Sequence, residues 1–348
     1  MKKVITVIGA RPQFVKSGPL SKALRKHFQE IIVHSGQHYD ANLSENILRD
    51  IGSPKPDYFL KTIGSTHGAQ TASILRATEE VFIKESPDAV IVFGDTNTTL
   101  AASIAAVKLG IKLVHVEAGL RSFNKAMPEE INRIATDRIS DFLFAPTPIA
   151  MKHLTDEGLK DKSYLTGDIM VDSVKSVSCQ ITKDILNAWQ LEENKYYLLT
   201  MHRPYNVDNK ENLLRILADL ATLPYPIVFP IHPRTKKVLA GTDISPNIKL
   251  IEPQGYVNFT GLLKYSHKMI TDSGGVQKEA YIQKKPCITL RTETEWVGTI
   301  DAGWNLLLPP ENGDLSEAIT AFNPSGSHPD LFGVDVADKM VQILLDSL

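Results

Sequence analysis

The chain has 348 residues, enough for two domains at ~100–200 residues each. Hydrophobic residues make up 43% and charged residues 22%, ordinary globular usage that excludes disordered, collagen-like and coiled-coil architectures. Lys+Arg 38 against Asp+Glu 40 leaves a formal charge of −2, so there is no global attraction to nucleic acid or to an anionic membrane. Cys179 and Cys287 form no CxxC pair and no disulfide framework. The opening MKKVITVIGARPQF has too short an apolar run for a signal peptide, and no stretch approaches the ~20 apolar residues of a membrane span. The expectation is a soluble, cytoplasmic α/β protein.

In chain order, the patterning predicts a strand at Val4–Ile8, a helix around Pro19–His27, a strand at Ile31–His34 and a helix near Ala41–Ile51. A strand at Ala89–Phe93, a helix at Leu100–Leu109 and a strand at Lys112–Val116 follow. After the mixed stretch 146–194 the pattern restarts with Tyr196–Thr200, a helix near Asn209–Leu220, Ile227–Ile231, Lys249–Ile251, Lys268–Thr271, a helix at Gly275–Gln283 and Cys287–Leu290. Near-continuous apolar strands alternating with helices argue for parallel sheets covered on both faces. The predicted fold class is α/β, with two Rossmann-like doubly wound parallel-sheet domains facing a central cleft.

Ligands of such sheets bind beyond the carboxyl ends of the strands, and the polar clusters of this sequence fall there. Asp272-Ser273-Gly274-Gly275 leads into a helix carrying Glu279; the two glycines let a phosphate approach the free N–H groups of a helix start. Asp272 or Ser273 acting simply as a helix cap is the alternative. Arg11 and Lys16, just after the first strand, are cations suited to a diphosphate. Asp95, Glu117 and the Glu129-Glu130 pair bring carboxylates to the same edge, a set suited to proton transfer. Asp95 and Glu130 also read as helix caps, whereas Glu117 has no such explanation. The ten histidines show no HExxH or His/Cys metal spacing, no GxSxG is present, and GxGxxG is absent after every strand. No metal and no NAD are therefore expected, and His202 and His232 read as phosphate or hydroxyl contacts.

At these motifs the sequence resembles the non-hydrolysing UDP-N-acetylglucosamine 2-epimerase family, nearly end to end: GARPQFVK (9–16), GQHYD (36–40), GDTNTT (94–99), HVEAGLRS (115–122), PEEINR (128–133), MHR (201–203), HPR (232–234) and TDSGGVQKEA (271–280). The resemblance implies a GT-B type fold. An N-terminal Rossmann-like domain would span 1–168, joined by a C-terminal helix at 335–348, and a UDP-binding domain would span 169–334. Carried over by position, Asp95, Glu117, Glu129 and His202 would be catalytic. Arg11, Lys16, Arg133, Gln254, Phe259, Ser273, Gly274, Gly275 and Glu279 would bind substrate. Gln254 and Phe259 would hold the uracil, Ser273–Gly275 the diphosphate and Glu279 the ribose. The implied partners are a UDP-sugar and a second copy of the chain in a homodimer, with no cofactor, nucleic acid or membrane.

The implied reaction turns UDP-GlcNAc into UDP-ManNAc for surface polysaccharide precursors. The C2 hydrogen has no adjacent carbonyl to acidify it, so without NAD the route is elimination of UDP to a 2-acetamidoglucal and re-addition on the opposite face. Cations must stabilise the leaving diphosphate, and carboxylates must move the C2 proton. A hydrolysing relative, a GT-B glycosyltransferase and a UDP-sugar sensor without turnover are the competing classes. One departure bears on substrate: in Arg291–Gly298, Trp296 stands where the family places a substrate-contacting arginine. With GARPQF, His67–Thr71 and the Phe123–Met127 loop, this resembles a branch acting on UDP-2,3-diacetamido-2,3-dideoxy-glucuronate. Alternatively, Trp296 merely packs and Arg291 takes over the contact.

Overall fold

The computed structural model describes residues 1–37, 48–324 and 326–348. The chain forms two compact units, Met1–Ser176 with Phe332–Leu348, and Val177–Leu331. Among the described residues no helix is long and apolar enough to cross a membrane.

The first unit is built on a seven-stranded parallel sheet: β1 (Lys3–Ile8), β2 (Gln29–His34), β3 (Tyr58–Phe59), β4 (Ala89–Phe93), β5 (Lys112–Val116), β6 (Phe142–Ala145) and β7 (Ser163–Leu165), in the order β3-β2-β1-β4-β5-β6-β7. The second carries six parallel strands: β8 (Tyr197–Thr200), β9 (Ile227–Pro230), β10 (Ile248–Ile251), β11 (Lys268–Thr271), β12 (Cys287–Thr289) and β13 (Asn305–Leu307), in the order β10-β9-β8-β11-β12-β13. Helices cover both faces, so successive residues of one strand enter different cores. Tyr197 and Leu199 pack with Phe229 and Ile270, while Tyr196 and Leu198 pack with Val228 and Met269 on the other side. This explains the unbroken apolar runs. In each sheet the winding reverses between adjacent strands, at β1/β4 and at β8/β11, the position at which open α/β sheets bind ligands.

The first helix differs from expectation. It runs Arg11–Leu24, not Pro19–His27, with Pro12 in its first turn and Pro19 inside it. Pro12 costs little there because first-turn N–H groups have no intrahelical partner. Pro19 cannot donate to the carbonyl of Val15, which instead accepts from Ser173 Oγ at 2.9 Å. The expected helix near Ala41–Ile51 and the GQHYD motif (36–40) lie partly outside the described residues. The final helix, Val336–Ser347, packs against the first, and Asp172 ties down its start by accepting the Ala337 N–H at 2.7 Å.

The exit of β5 turns through Gly119 at φ +81°, where a Cβ would lie 2.4 Å from the Ala150 carbonyl oxygen and 2.8 Å from Leu154 Cγ. Both the backbone conformation and the space exclude a side chain. Gly119→Ala is expected to lower unfolding free energy by about 2–4 kcal/mol, read as a shifted midpoint in urea. An unchanged midpoint would contradict this packing.

Candidate active site

In the first unit the exits of β1, β4 and β5 are neighbours. Gln13 ties the first two together. Its Oε1 accepts the Gly9 and Ala10 N–H groups at 2.8 and 3.0 Å, and its Nε2 donates to the Phe93 carbonyl at 2.9 Å and to Thr99 Oγ1 at 3.0 Å. Asp95 is not a helix cap, because Thr96 takes that position and accepts the Thr99 N–H at 3.3 Å. The Asp95 carboxylate is left to pair with Arg133, and its backbone carbonyl accepts from Asn132 Nδ2 at 2.9 Å. Glu117 follows β5 at φ +72°, a left-handed conformation unusual for its type, and its carboxylate pairs with Lys16.

The helix Pro128–Ile139 carries the rest of this set. Its two glutamates divide. Glu129 is exposed, whereas Glu130 is buried and accepts the N–H groups of Ser122 and Phe123 at 2.9 and 3.0 Å and a bond from Arg133 Nη1 at 2.9 Å. Glu130 is therefore a loop anchor, not a cap of its own helix. Burial alone would raise its pKa, but these donors hold it below the usual carboxylate range. Asp95 goes the other way: burial pushes its carboxyl up, Arg133 offsets only part of this, and the charge of Glu117 adds to the rise. Asp95, Glu117, Lys16 and Arg133 thus form one cluster, while Arg11 stands exposed at the start of its helix.

In the second unit the exits of β8 and β11 are neighbours. Asp272 is fully buried and accepts the N–H groups of His202 and Arg203, each at 3.0 Å, together with Asn206 Nδ2 at 3.0 Å. The His202 ring also approaches, its Nδ1 3.0 Å from Asp272 Oδ1, with the side chain about half exposed. Against the effect of burial, these contacts hold Asp272 below the usual range. Ser273 is the cap residue of the helix Gly274–Ile282, and its side chain makes no capping bond. The first-turn N–H groups and the helix dipole therefore remain suited to an anion. Glu295 crowds that start, its Oε1 2.2 Å from where a Cβ on Gly274 would lie, so a side chain there would have to displace the Glu295 carboxylate. Glu279 lies on the same helix, buried.

The proposed uracil pair divides in placement. Gln254 is half-buried before the helix Tyr256–Tyr265 and donates from Nε2 to the Glu252 carbonyl at 2.7 Å. Phe259 is 8% exposed and belongs to the core with Leu198, Val228, Ile251 and Leu262. Trp296 is also buried, its ring over Lys278 Nζ at 4.3 Å, while Arg291 Nη1 donates to Glu295 at 3.0 Å. The roles of Gln13, Asn132, Asp137 and Glu295 emerge only from the structure. Glu130, Arg133 and Asp137 share one helix face at spacings of three and four, the signal that would have found Asp137.

The family model described as UDP-N-acetylglucosamine 2-epimerase matches residues 22–344. A "UDP-N-acetylglucosamine 2-epimerase homolog" of Methanococcus maripaludis is 46% identical over 332 residues, 93% of either chain. The UDP-2,3-diacetamido-2,3-dideoxy-D-glucuronate 2-epimerase of Pseudomonas aeruginosa is 45% identical over 314 residues, 88% of either chain. The crystal structure of Methanocaldococcus jannaschii UDP-GlcNAc 2-epimerase, in complex with UDP-GlcNAc and UDP, superposes with a TM-score of 0.89 at 40% identity, covering 100% of both chains. The two parallel-sheet units are those of this GT-B-like fold.

A carboxyl whose pKa is higher folded than unfolded costs stability wherever it is ionised. The cost is full above the folded value and vanishes below the unfolded value of about 3.9. Asp95→Asn should therefore melt higher than the parent at pH 7, with the gap closing as the pH falls to about 3. Thermal melts across that range check both the sign and the trend; a lower melting temperature at pH 7 would overturn the assignment.

Proposed function

We propose that this chain, which belongs to the UDP-N-acetylglucosamine 2-epimerase family, inverts C2 of UDP-N-acetylglucosamine without hydrolysis, by elimination and re-addition of UDP. The observation that carries the reading is the cluster at the exits of β4 and β5. There two carboxylates, Asp95 and Glu117, each have a cation, and burial and the neighbouring charge raise the proton affinity of Asp95. A pair of carboxyls in which one holds a proton more readily than a solvent-exposed acid is suited to both giving and taking a proton near neutrality.

In this mechanism the C2 proton passes to a carboxylate of the first unit as the C1–O bond to UDP breaks, giving 2-acetamidoglucal and UDP. The UDP oxygen then re-forms the bond to C1 while a second group returns a proton to C2 from the opposite face. Asp95, Glu117 and Glu129 are the candidates for the proton transfers. Arg11, Lys16, Arg133, His202 and the Ser273–Gly275 helix start would meet the charge that develops on the leaving diphosphate. Gln254 and Glu279 would hold the uracil and ribose, and Phe259 would contribute to the uracil site through packing. The product would feed surface polysaccharide precursors, with the protein acting as a homodimer in the cytoplasm.

A second reading is inversion of UDP-2,3-diacetamido-2,3-dideoxy-glucuronate. It is favoured by the relative of that name at 45% identity and by the tryptophan at position 296.

Proton NMR in deuterium oxide tests the reaction. UDP-GlcNAc should give UDP-ManNAc, with deuterium at C2 of product and recovered substrate. Free UDP with a mannosamine-type sugar would mean hydrolysis, an unchanged sugar would mean a transferase or a sensor, and inversion of the uronate alone would select the second reading.

Two sets of variants should separate chemistry from binding. Glu117→Gln is expected to lower kcat by ~10²–10⁴ with UDP affinity kept, as for a lost general acid or base. Ser273→Ala combined with Glu279→Ala should instead weaken UDP binding itself, measured by calorimetry. Unchanged UDP affinity in that double variant would refute the phosphate and ribose assignment.

A further inference from the structure

Beneath the carboxylates just described lies a buried ionic network that none of those roles uses. Asp137, in the last turn of the Pro128–Ile139 helix, and His115, the penultimate residue of β5, are fully buried, and Arg121 is 6% exposed. Asp137 Oδ1 accepts from His115 Nδ1 at 2.7 Å. Its Oδ2 accepts the Gly119 N–H at 3.1 Å and Arg121 Nη1 at 2.7 Å. His115 Nε2 donates to the Gly94 carbonyl at 2.7 Å. Arg121 also donates to its neighbour's carbonyl, on Leu120, at 2.7 Å and grips Glu157 through two bonds of 2.7 and 2.8 Å. The donors hold Asp137 below the usual carboxylate range in spite of its burial.

These contacts fall at particular places in the chain. His115 is two residues before Glu117 and Gly119 is two residues after it, while Gly94 immediately precedes Asp95. One carboxylate therefore fixes both flanks of the left-handed turn at Glu117 and, through His115, the strand exit that carries Asp95. A buried ionic network is costly to desolvate, and apolar side chains of similar volume often stabilise as well or better. What this network supplies is geometry at two strand exits. We propose that Asp137, acting through His115, is a positioning residue that sets Glu117 and Asp95 at the separation and orientation needed for proton transfer at C2. The proposal rests on the epimerase reading.

The test uses the full chain and two variants, Asp137→Asn and His115→Phe. The second leaves Asp137 paired with Arg121, so it carries the test even where the first does not fold. Thermal melts and UDP calorimetry report folding and nucleotide binding. Epimerisation is then followed with UDP-GlcNAc carrying hydrogen or deuterium at C2. Displacing a reacting group by about an ångström costs on the order of 100-fold, so kcat per folded molecule should drop by about 30-fold or more. KM and UDP affinity should stay unchanged, and the deuterium isotope effect on kcat should grow as proton transfer becomes slower than the other steps. A merely structural role would lower the folded fraction and leave the isotope effect alone. A folded His115→Phe enzyme with parental kcat, or with slowed turnover but an unchanged isotope effect, overturns the proposal while the epimerase reading stands. A parent enzyme that inverts neither UDP-GlcNAc nor the diacetamido uronate overturns the functional reading and this proposal with it.

Discussion

The working edges of both sheets depend on carboxylates taken out of water and given backbone N–H groups in exchange. Glu130 takes those of Ser122 and Phe123, Asp137 that of Gly119, and Asp272 those of His202 and Arg203. A loop leaving a strand has N–H groups with no partner in the ladder, and burying them unpaired costs about 1–3 kcal/mol each. A buried anion without donors is worse off still. Each solves the other's problem, and charge-assisted bonds to fixed amides leave little freedom in the loop. The same solution recurs at three sites in two units.

This explains why carboxylates at the strand exits have different electrostatic fates. Glu130 and Asp272 sit among donors that favour the ionised form, so both are held as anions. Asp95 is half-buried beside a second carboxylate, and its partner Arg133 is shared with Glu130. Anchoring carboxylates are saturated with donors, whereas Asp95 is left electrostatically short. That shortage separates a group able to exchange a proton from one that only holds a loop.

The fold was largely legible because a parallel sheet buried on both faces forces unbroken apolar runs. Ala89–Phe93, Lys112–Val116 and Lys268–Thr271 have the bounds expected of them. The first helix starts earlier than the sequence suggests because a proline reads as a boundary, whereas Pro12 sits harmlessly in a first turn and Ser173 compensates Pro19. Around the site, motif and spacing pointed to the right strand exits but not to what each side chain does there. Thr96 caps where Asp95 was a candidate, and Glu130 turns inward while Glu129 faces solvent; adjacent residues on a helix point about 100° apart. Phe259 has Tyr256, Leu262 and Leu263 at helical spacing, a core stripe visible in the sequence. Asp137 shares a helix face with Glu130 and Arg133 in the sequence, but its role needs the fold, which delivers His115 and Arg121 to it.

The backbone at Glu117 has a consequence for what that position tolerates. At φ +72° most side chains carry a penalty of about 1–2 kcal/mol, and only glycine, asparagine and aspartate sit there at ease. The Glu117 carboxylate pairs with Lys16 from this backbone. Residue 117 is thus an uneasy choice for its own backbone and a working one for its partner. Drift towards greater stability would replace it first with asparagine or glycine. Its presence therefore marks a point where selection for the side chain has prevailed over conformational preference.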